Sequence, residues 1–178
     1  KRKCTLKEND EIIVQVLKEE RGTKGAALST QLSLAGRFLV LIPNSTKGGG
    51  VSRRISGEER DQVKDIIKNL PIPEGMSVIV RTAGLGRNQE ELQWDLDYLL
   101  SLWKQISGNL DESECPSLIY KDDKLILRVF RDYFKENIEE ILIDDKDVFE
   151  EASMFAQSVI PDHATKVQFY NEEIPLFN

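Results

Sequence analysis

Histidine and cysteine are scarce in this sequence, and their scarcity argues against several kinds of catalytic and metal site. The 178 residues include one histidine, His163, and two cysteines, Cys4 and Cys115, which lack C-x-x-C spacing. These residues do not complete a tetrahedral zinc set. The one histidine also has no sequence neighbour with which to form a Ser/His/Asp or Cys/His arrangement. We therefore expect His163 to be a loop residue and the cysteines to be free thiols in a reducing compartment.

Long hydrophobic runs and an excess of positive charge are also missing. No apolar run reaches the ~18 residues that a membrane-spanning helix needs. The net charge of −7 argues against a broad basic surface for nucleic acid. An anionic ligand would therefore need a local cluster of cations, for which Arg53, Arg54, Arg81 and Arg87 are the candidates. No signal peptide is evident, and Lys1 in place of an initial Met indicates an excised piece of a longer protein.

The pattern of apolar residues predicts an α/β fold with mixed sheets and packed helices. A content of 40% hydrophobic and 31% charged residues is ordinary for a globular protein, and 178 residues allow one domain or two small ones. Runs of β-branched or alternating apolar residues predict strands, and apolar positions spaced by three and four predict helices. The predicted strands are residues 11–17, 27–34, 38–42, 78–80, 117–121, 138–143 and 166–170. The predicted helices are residues 58–70, 90–106, 125–134 and 147–159.

Glycine, proline and acidic residues mark the expected turns and helix ends. Gly36 allows a tight turn between the second and third strands, and Pro71 ends the first helix. Asp144 and Asp145 are expected to cap the last helix. The polar residues 107–117 are the expected boundary between two contiguous subdomains. The inward residues of the third helix are expected to be Ile126, Val129, Phe130 and Tyr133.

Residues 77–87 form the stretch with the most suggestive chemistry. The β-branched residues 78–80 suit a buried strand, and Arg81, Thr82, Gly84 and Gly86 follow before a helix begins. Arg offers a planar fork of charged donors, Thr offers a hydroxyl donor, and Gly lets a ligand approach the backbone. This combination is typical of a phosphate site, although on its own it is also compatible with a loop that holds a structural Arg.

Other clusters have a structural interpretation beside the functional one. The carboxylates at 122, 123, 144, 145 and 147 could bind the metals of a nuclease, but each group stands where a turn or a helix N-terminus already favours an acid. Trp94 and Trp103 fit core packing better than base stacking. Gly84 and Gly86 lack the third glycine of a dinucleotide fingerprint. The pair Arg53 and Arg54 is either a solvated turn or the second half of an anion site.

Ten segments of the sequence, in one order along the chain, closely resemble the ribonuclease E/G endoribonucleases, nearer the ribonuclease E branch. The segments are 18–28 (KEERGTKGAAL), 33–36 (SLAG), 39–44 (LVLIPN), 49–55 (GGVSRRI), 73–76 (PEGM), 80–84 (VRTAG), 92–96 (LQWDL), 130–133 (FRDY), 140–144 (EILID) and 173–177 (EIPLF).

The resemblance implies three regions and a set of RNA-binding residues. Residues 1–30 would be the end of an S1 RNA-binding domain with an OB-fold barrel, residues 31–115 the family's 5′-sensor region, and residues 116–178 its degenerate RNase H-like subdomain. The sensor would hold the 5′-monophosphate of single-stranded RNA. The implied phosphate-binding residues are Arg81, Thr82, Gly36 and Val40, and the implied RNA-binding residues are Lys24, Arg53 and Arg54.

The resemblance also implies what this sequence does not contain. The family's Mg²⁺-binding aspartates and its structural Zn²⁺ ligands follow the EIPLF segment, so we expect no catalytic residue, metal or cofactor here and no RNA cleavage by this chain alone. Other domains and subunits of the full-length enzyme would be its partners. The expected location is the bacterial cytoplasm, with the chloroplast stroma as the alternative.

Two other functions stay open from the sequence. The chain could be chiefly a structural scaffold that docks the catalytic domain, with little phosphate binding of its own. It could also be a nuclease that uses the region of Asp144. A solvent-open position of Arg81 and Thr82 beside Gly36 and Val40 would favour the sensor over the scaffold.

Overall fold

The computed structural model describes residues 7–45, 50–52, 56–112, 115–122, 124–134, 137–172 and 174–175. The described chain begins with an antiparallel hairpin of β1 (Gln15–Lys18) and β2 (Ala27–Ser29). The side chain of Gln15 ties this hairpin to the rest of the molecule, because it accepts from Ser33 N and donates to Ser33 O, each at 2.9 Å. Three apolar hairpin side chains, of Val16, Leu17 and Leu28, are exposed.

A four-stranded mixed sheet forms the centre of the first half. It contains β3 (Leu34–Ala35), β4 (Leu39–Ile42), β5 (Gly50–Val51) and β6 (Ser77–Val80), in the spatial order β3-β4-β6-β5. The β4 strand pairs antiparallel with β3 and β6, and β5 runs parallel to β6. The expected tight turn at Gly36 is confirmed, because it joins β3 to β4.

Two helices cover this sheet with apolar side chains. They are α1 (Glu58–Asn69) and α2 (Gln89–Glu112). Leu92, Leu96 and Leu99 are fully buried because they lie three and four residues apart on one stripe of α2. Trp103 packs partly buried against the same cluster, as expected. Burial of this stripe against the sheet removes apolar surface from water and stabilises the first half.

The second half has its own smaller sheet and core. The α3 helix (Leu125–Tyr133) precedes β7 (Ile141–Ile143), and α4 (Lys146–Val159) leads through a 3₁₀ segment, Pro161–Lys166, into β8 (Val167–Phe169). The β7 and β8 strands are parallel, as a helical crossover requires. His163 lies in the connecting 3₁₀ segment, as expected, against the ring of Phe134.

Tyr98 of α2 joins the two cores. Its side chain packs against both apolar clusters, and its ring meets Phe155 of α4 edge-on at a centroid distance of 5.1 Å. The predicted mixed α/β class is confirmed. No helix in the part of the chain that the structure describes is long and apolar enough to cross a membrane.

Two predicted strands are wrong. Residues 27–34, predicted as one strand, form two strands, β2 and β3, which lie in different sheets. The chain turns between them because Ser29 Oγ accepts a hydrogen bond from Gln31 N at 3.0 Å. Residues 117–121 form no strand, and Leu118 is 78% exposed without a neighbouring strand to cover it.

Two predictions about helices also need correction. The polar break predicted at 107–117 starts later, because α2 continues to Glu112 with Ile106 buried against the protein. In α3 the core residues are Phe130 and Phe134, whereas Val129 is partly exposed and Tyr133 is 73% exposed. A helical spacing of four, from Ile126 through Phe130 to Phe134, sets this inward face.

Candidate functional site

Arg81 stands at the end of β6, where the strand turns into a 3₁₀ segment at Thr82–Gly84. The turn is tight because Gly84 packs directly against Val80 and Phe38. A Cβ at Gly84 would lie 2.8 Å from Val80 Cγ1 and 3.1 Å from Phe38 O. Only glycine therefore fits at this position, and the close packing fixes the turn that places Arg81 and Thr82 just past the carboxyl end of β6.

The turn at Gly36 lies directly beside Arg81. The backbone N–H of Arg81 donates to Phe38 O at 2.8 Å, and its guanidinium Nη1 donates to Gly36 O at 2.5 Å. The structure thus brings together two of the residues that the sequence analysis assigned to phosphate binding, although they are 45 positions apart in the chain.

A buried carboxylate holds this turn in shape. Asp95 of α2 is 0% exposed and accepts from the backbone N–H groups of Arg37, Phe38 and Leu39 at 2.9, 2.8 and 2.7 Å. Burial raises the pKa of Asp95, and the three backbone hydrogen bonds together with the charge of Arg81 oppose that shift. A Cβ at Gly36 would lie 2.5 Å from Asp95 Oδ2, so glycine is required here to admit the carboxylate.

The other two predicted phosphate-binding residues, Thr82 and Val40, lie near Arg81 and Gly36. Thr82 directly follows Arg81 and is exposed. Val40 is half-buried in β4 and pairs with Ala35, the residue before Gly36. Gly36, by contrast, is buried, and it contributes its carbonyl oxygen rather than an open surface.

The guanidinium of Arg81 has a second partner, Asp132 of α3. Arg81 Nη2 lies 2.8 Å from Asp132 Oδ1, and the two side chains are 30% and 37% exposed. Arg131 Nε lies 3.5 Å from the same carboxylate oxygen. Partial burial opposes ionisation of Asp132, but the hydrogen bond from Arg81 and the charges of Arg131 and Arg81 outweigh it and keep the pKa of Asp132 below its usual value of 3.8.

Arg131 is anchored beside this pair. Its Nη1 donates to Asp122 Oδ2 at 3.0 Å and to Ala35 O at 3.3 Å. Burial opposes ionisation of Arg131, but the hydrogen bond to Asp122 and the charges of Asp122 and Asp132 outweigh it and raise the pKa of Arg131. The site is therefore a small exposed network in which cations and carboxylates alternate.

Two of the other predicted cations, Lys24 and Arg87, are not part of this network. Lys24 lies in the exposed loop between β1 and β2, where its backbone pairs with Arg21. Arg87 forms an ion pair with Glu91 at 3.2 Å and lies over the ring of Phe38. Arg53 and Arg54 lie outside the described residues, so their predicted role stays a prediction.

Trp94 and Arg37 have structural surroundings. Arg37 is buried with its guanidinium between the rings of Phe38 and Phe134, at 4.7 and 4.6 Å from the ring centroids. Trp94 is half-buried and lines a small cavity with Arg37 and Arg87. Arg37 and Trp94 therefore pack behind the Gly36 turn and are not part of the exposed network around Arg81.

The acidic positions act in capping and pairing. Asp145 is the N-cap of α4 and accepts from Val148 N at 2.9 Å, which confirms half of the expected Asp144–Asp145 cap. Asp122 pairs with Arg131. Among the described residues, no group of three or more His, Cys, Asp or Glu side chains is placed to hold a metal ion. Cys115 is an exposed free thiol, and Asp123 and Cys4 lie outside the described residues.

Sequence reasoning missed Asp95, Arg131 and Asp132 as members of the site. A signal for Asp95 was present, because an acid on the apolar stripe of α2 must find buried donors. The matched segment 130–133 contained Arg131 and Asp132, but nothing in the sequence paired them with Arg81, which lies about fifty positions earlier.

Comparison with known proteins defines the family to which the chain belongs. Residues 33–178 match the Ribonuclease E/G family. The chain is 49% identical over 173 residues to ribonuclease E of Haemophilus influenzae and 48% identical over 177 residues to ribonuclease E of Escherichia coli K12. It is 36% identical over 174 residues to ribonuclease G of Haemophilus influenzae.

The chain belongs to the ribonuclease E/G family. The identities also confirm the prediction that it lies nearer the ribonuclease E branch. The alignments cover 97% to 99% of this chain, but only 18% and 17% of the two ribonuclease E sequences and 35% of ribonuclease G.

Proposed function

We propose that this chain binds the 5′ end of RNA within an endoribonuclease of RNA processing and decay, and that Arg81 recognises a 5′-terminal monophosphate. The observation that carries the proposal is the position of the Arg81 guanidinium, which is oriented by the carbonyl of Gly36, partly exposed, and followed by the exposed Thr82. Family membership supports the wider role in RNA processing.

The residues divide the recognition between them. Arg81 Nη groups donate charge-assisted hydrogen bonds to the phosphate oxygens, and the Thr82 hydroxyl donates a further one. Each such bond to a charged group is worth ~1.5–3 kcal/mol. The carbonyl of Gly36 and the turn held by Asp95 fix the guanidinium in advance, which lowers the entropy cost of binding. Val40 and Ala35 form the neighbouring wall.

Cleavage is proposed for the longer family proteins rather than for these residues. We propose that Mg²⁺ supplies the catalytic chemistry and Zn²⁺ a structural link there, and that this chain alone does not cut RNA. Single-stranded RNA and the other domains and subunits of the enzyme are the proposed partners. Lys24, Arg53 and Arg54 are proposed to contact the RNA beyond its first phosphate, and the bacterial cytoplasm is the proposed location.

The scaffold function is the second candidate, and one observation favours it. The guanidinium of Arg81 is already paired with Asp132 and Gly36 without any ligand. A purely structural Arg81 would need no more than these contacts. The two candidates therefore differ in whether an RNA phosphate reaches Arg81.

A binding experiment separates the two candidates. Two short labelled RNAs, identical except for a 5′-monophosphate or a 5′-hydroxyl, are titrated with the chain at one stated low salt concentration. We expect the monophosphate to bind about tenfold more tightly, which corresponds to ~1.4 kcal/mol. Arg81→Ala should remove this preference, and Thr82→Val should reduce it.

The matched control is Arg128→Ala on α3. Arg128 is exposed and donates to the backbone carbonyl of Asp122, so its loss removes the same charge nearby without removing Arg81. Arg128→Ala should weaken the binding of both RNAs by the same factor. A preference that survives in both Arg81→Ala and Thr82→Val would contradict the proposed site, and equal binding of both RNAs to the wild-type chain would favour the scaffold.

A further inference from the structure

We propose that Asp132 is the resident occupant of the Arg81 site and that a 5′-phosphate binds by displacing it, while Arg131 retains the released carboxylate. This inference rests on the proposed function of Arg81. It extends the site from the Gly36 turn to α3, and it makes phosphate recognition an exchange between two anions.

The geometry of the carboxylate leads to this proposal. Asp132 Oδ1 lies 2.8 Å from Arg81 Nη2, the side of the guanidinium that Gly36 O does not occupy. A carboxylate there accepts from the guanidinium as a phosphate oxygen would. An anion that arrives from solvent therefore competes directly with Asp132 for the Nη2 donor.

The pair is weak enough to exchange. Arg81 and Asp132 are 30% and 37% exposed, and exposed ion pairs are populated only a few-fold over their open states. A terminal phosphate carries a charge of about −1.5 to −2 and three acceptor oxygens, against one charge on the carboxylate. The phosphate is thus the stronger partner for Arg81.

Arg131 gives the displaced carboxylate a second partner. Its Nε lies 3.5 Å from Asp132 Oδ1, while its Nη1 is held by Asp122 and Ala35. Asp132 therefore keeps a cation when Arg81 turns to the ligand, and a small rotation of its side chain suffices. The Arg131 guanidinium, anchored on Ala35 beside the Gly36 turn, stays in place through the exchange.

Competition of this kind has a defined effect on affinity. The observed dissociation constant for a ligand of Arg81 equals the intrinsic constant divided by the fraction of time that Asp132 leaves Arg81 open. Removal of the carboxylate should therefore tighten binding of 5′-monophosphorylated RNA by about threefold to sixfold, which follows from the few-fold population of exposed ion pairs. Binding of RNA with a 5′-hydroxyl does not depend on Arg81, so its dissociation constant should change by less than about twofold in the same variant.

The test compares Asp132→Asn with Asp122→Asn in the same two-RNA titration. Asp122 is the matched control because it carries the same charge in the same network and pairs with Arg131 at 3.0 Å. Loss of the Asp122 charge should change the affinities for both RNAs by the same factor, because it alters the local potential without freeing Arg81. Asp132→Glu keeps the carboxylate and should restore the wild-type preference, and circular dichroism checks that each variant is folded.

The outcomes separate this inference from the proposed function. A larger monophosphate preference in Asp132→Asn but not in Asp122→Asn supports the exchange. An equal gain in both variants, or no gain in Asp132→Asn, overturns the exchange. If the wild-type preference that depends on Arg81 persists in that case, the proposed function stands. Absence of any preference in the wild type and in Asp132→Asn overturns both.

Discussion

Asp95 shows how much one residue contributes to the site without facing a ligand. It sits on the apolar stripe of α2, and three backbone N–H groups of the turn after Gly36 donate to it. Those groups would otherwise be buried donors without acceptors, each costing ~1–3 kcal/mol. Arg81 in turn binds the carbonyl of Gly36, so the orientation of the guanidinium depends on a carboxylate within the core.

Asp95→Ala should therefore destabilise the chain strongly. We expect a loss of about 3–5 kcal/mol in the free energy of unfolding, because three buried N–H groups lose their acceptor. Urea unfolding followed by tryptophan fluorescence measures it. Asp97→Ala is the control, since Asp97 is exposed on the same helix and accepts from the side chain of Gln93, and it should cost less than ~0.5 kcal/mol. A cost below ~1 kcal/mol for Asp95→Ala would contradict this account.

Residue chemistry alone identified Arg81 and Thr82, because a fork of charged donors followed by a hydroxyl and glycine after a strand is a recognisable combination. It could not identify Asp132, whose partner lies on another element. At this scale the sequence names candidate donors but not the carboxylate that pairs with Arg81 in the fold.

Single elements were predictable where local pattern and local capping agree. The α4 helix is an example, because its apolar spacing and the acid before it both mark the same start. The stretch at 27–34 is the opposite case. Its alternation predicts one strand, but Ser29 hydrogen-bonds Gln31 and divides the stretch between two sheets. A side chain that bonds its own backbone can override periodicity.

Asp145→Ala should weaken α4 while Asp144→Ala should not. Loss of the N-cap leaves Val148 N without its acceptor and should cost ~1 kcal/mol. The neighbouring Asp144 is the control, and its replacement should cost less than ~0.5 kcal/mol. Thermal or urea unfolding measures both. Equal effects of the two variants would mean that charge near the helix start, rather than the capping bond, carries the stabilisation.

The two halves of the molecule are joined through Tyr98. Its ring lies between the α2 stripe and the core of α4, so both clusters partly shield it from water. Burial is the main cause that raises the pKa of Tyr98 to about 12, and nearby Tyr120 and Asp122 add to it. Ionisation of this phenol is therefore less favourable in the folded chain than in the unfolded chain.

This raised pKa predicts an alkaline loss of stability. Between pH 10 and pH 12 the unfolded chain releases the Tyr98 proton and the folded chain keeps it, so stability falls as the pH rises through this window. The wild-type advantage over Tyr98→Phe should shrink by up to ~2 kcal/mol, with partial exposure of the ring limiting the effect.

Urea unfolding at pH 8 and at several values above pH 10 measures this difference. Tyr133→Phe removes a tyrosine that is largely exposed, and it corrects for the loss of one phenol. A difference between wild type and Tyr98→Phe that stays constant across the window would show that the phenol ionises without disturbing the packing of α2 on α4.

The sequence by itself determined the mixed α/β class, most of the helices, the Gly36 turn and the choice of Arg81. These depend on local spacing, on β-branched or capping residues, and on the chemistry of single side chains. Only the tertiary structure decided that Asp95 closes the turn, that Tyr98 joins the two cores, and that Asp132 and Arg131 stand against Arg81. Those contacts link residues tens of positions apart, and the packing of α2 on the sheet and of α3 on α4 sets them.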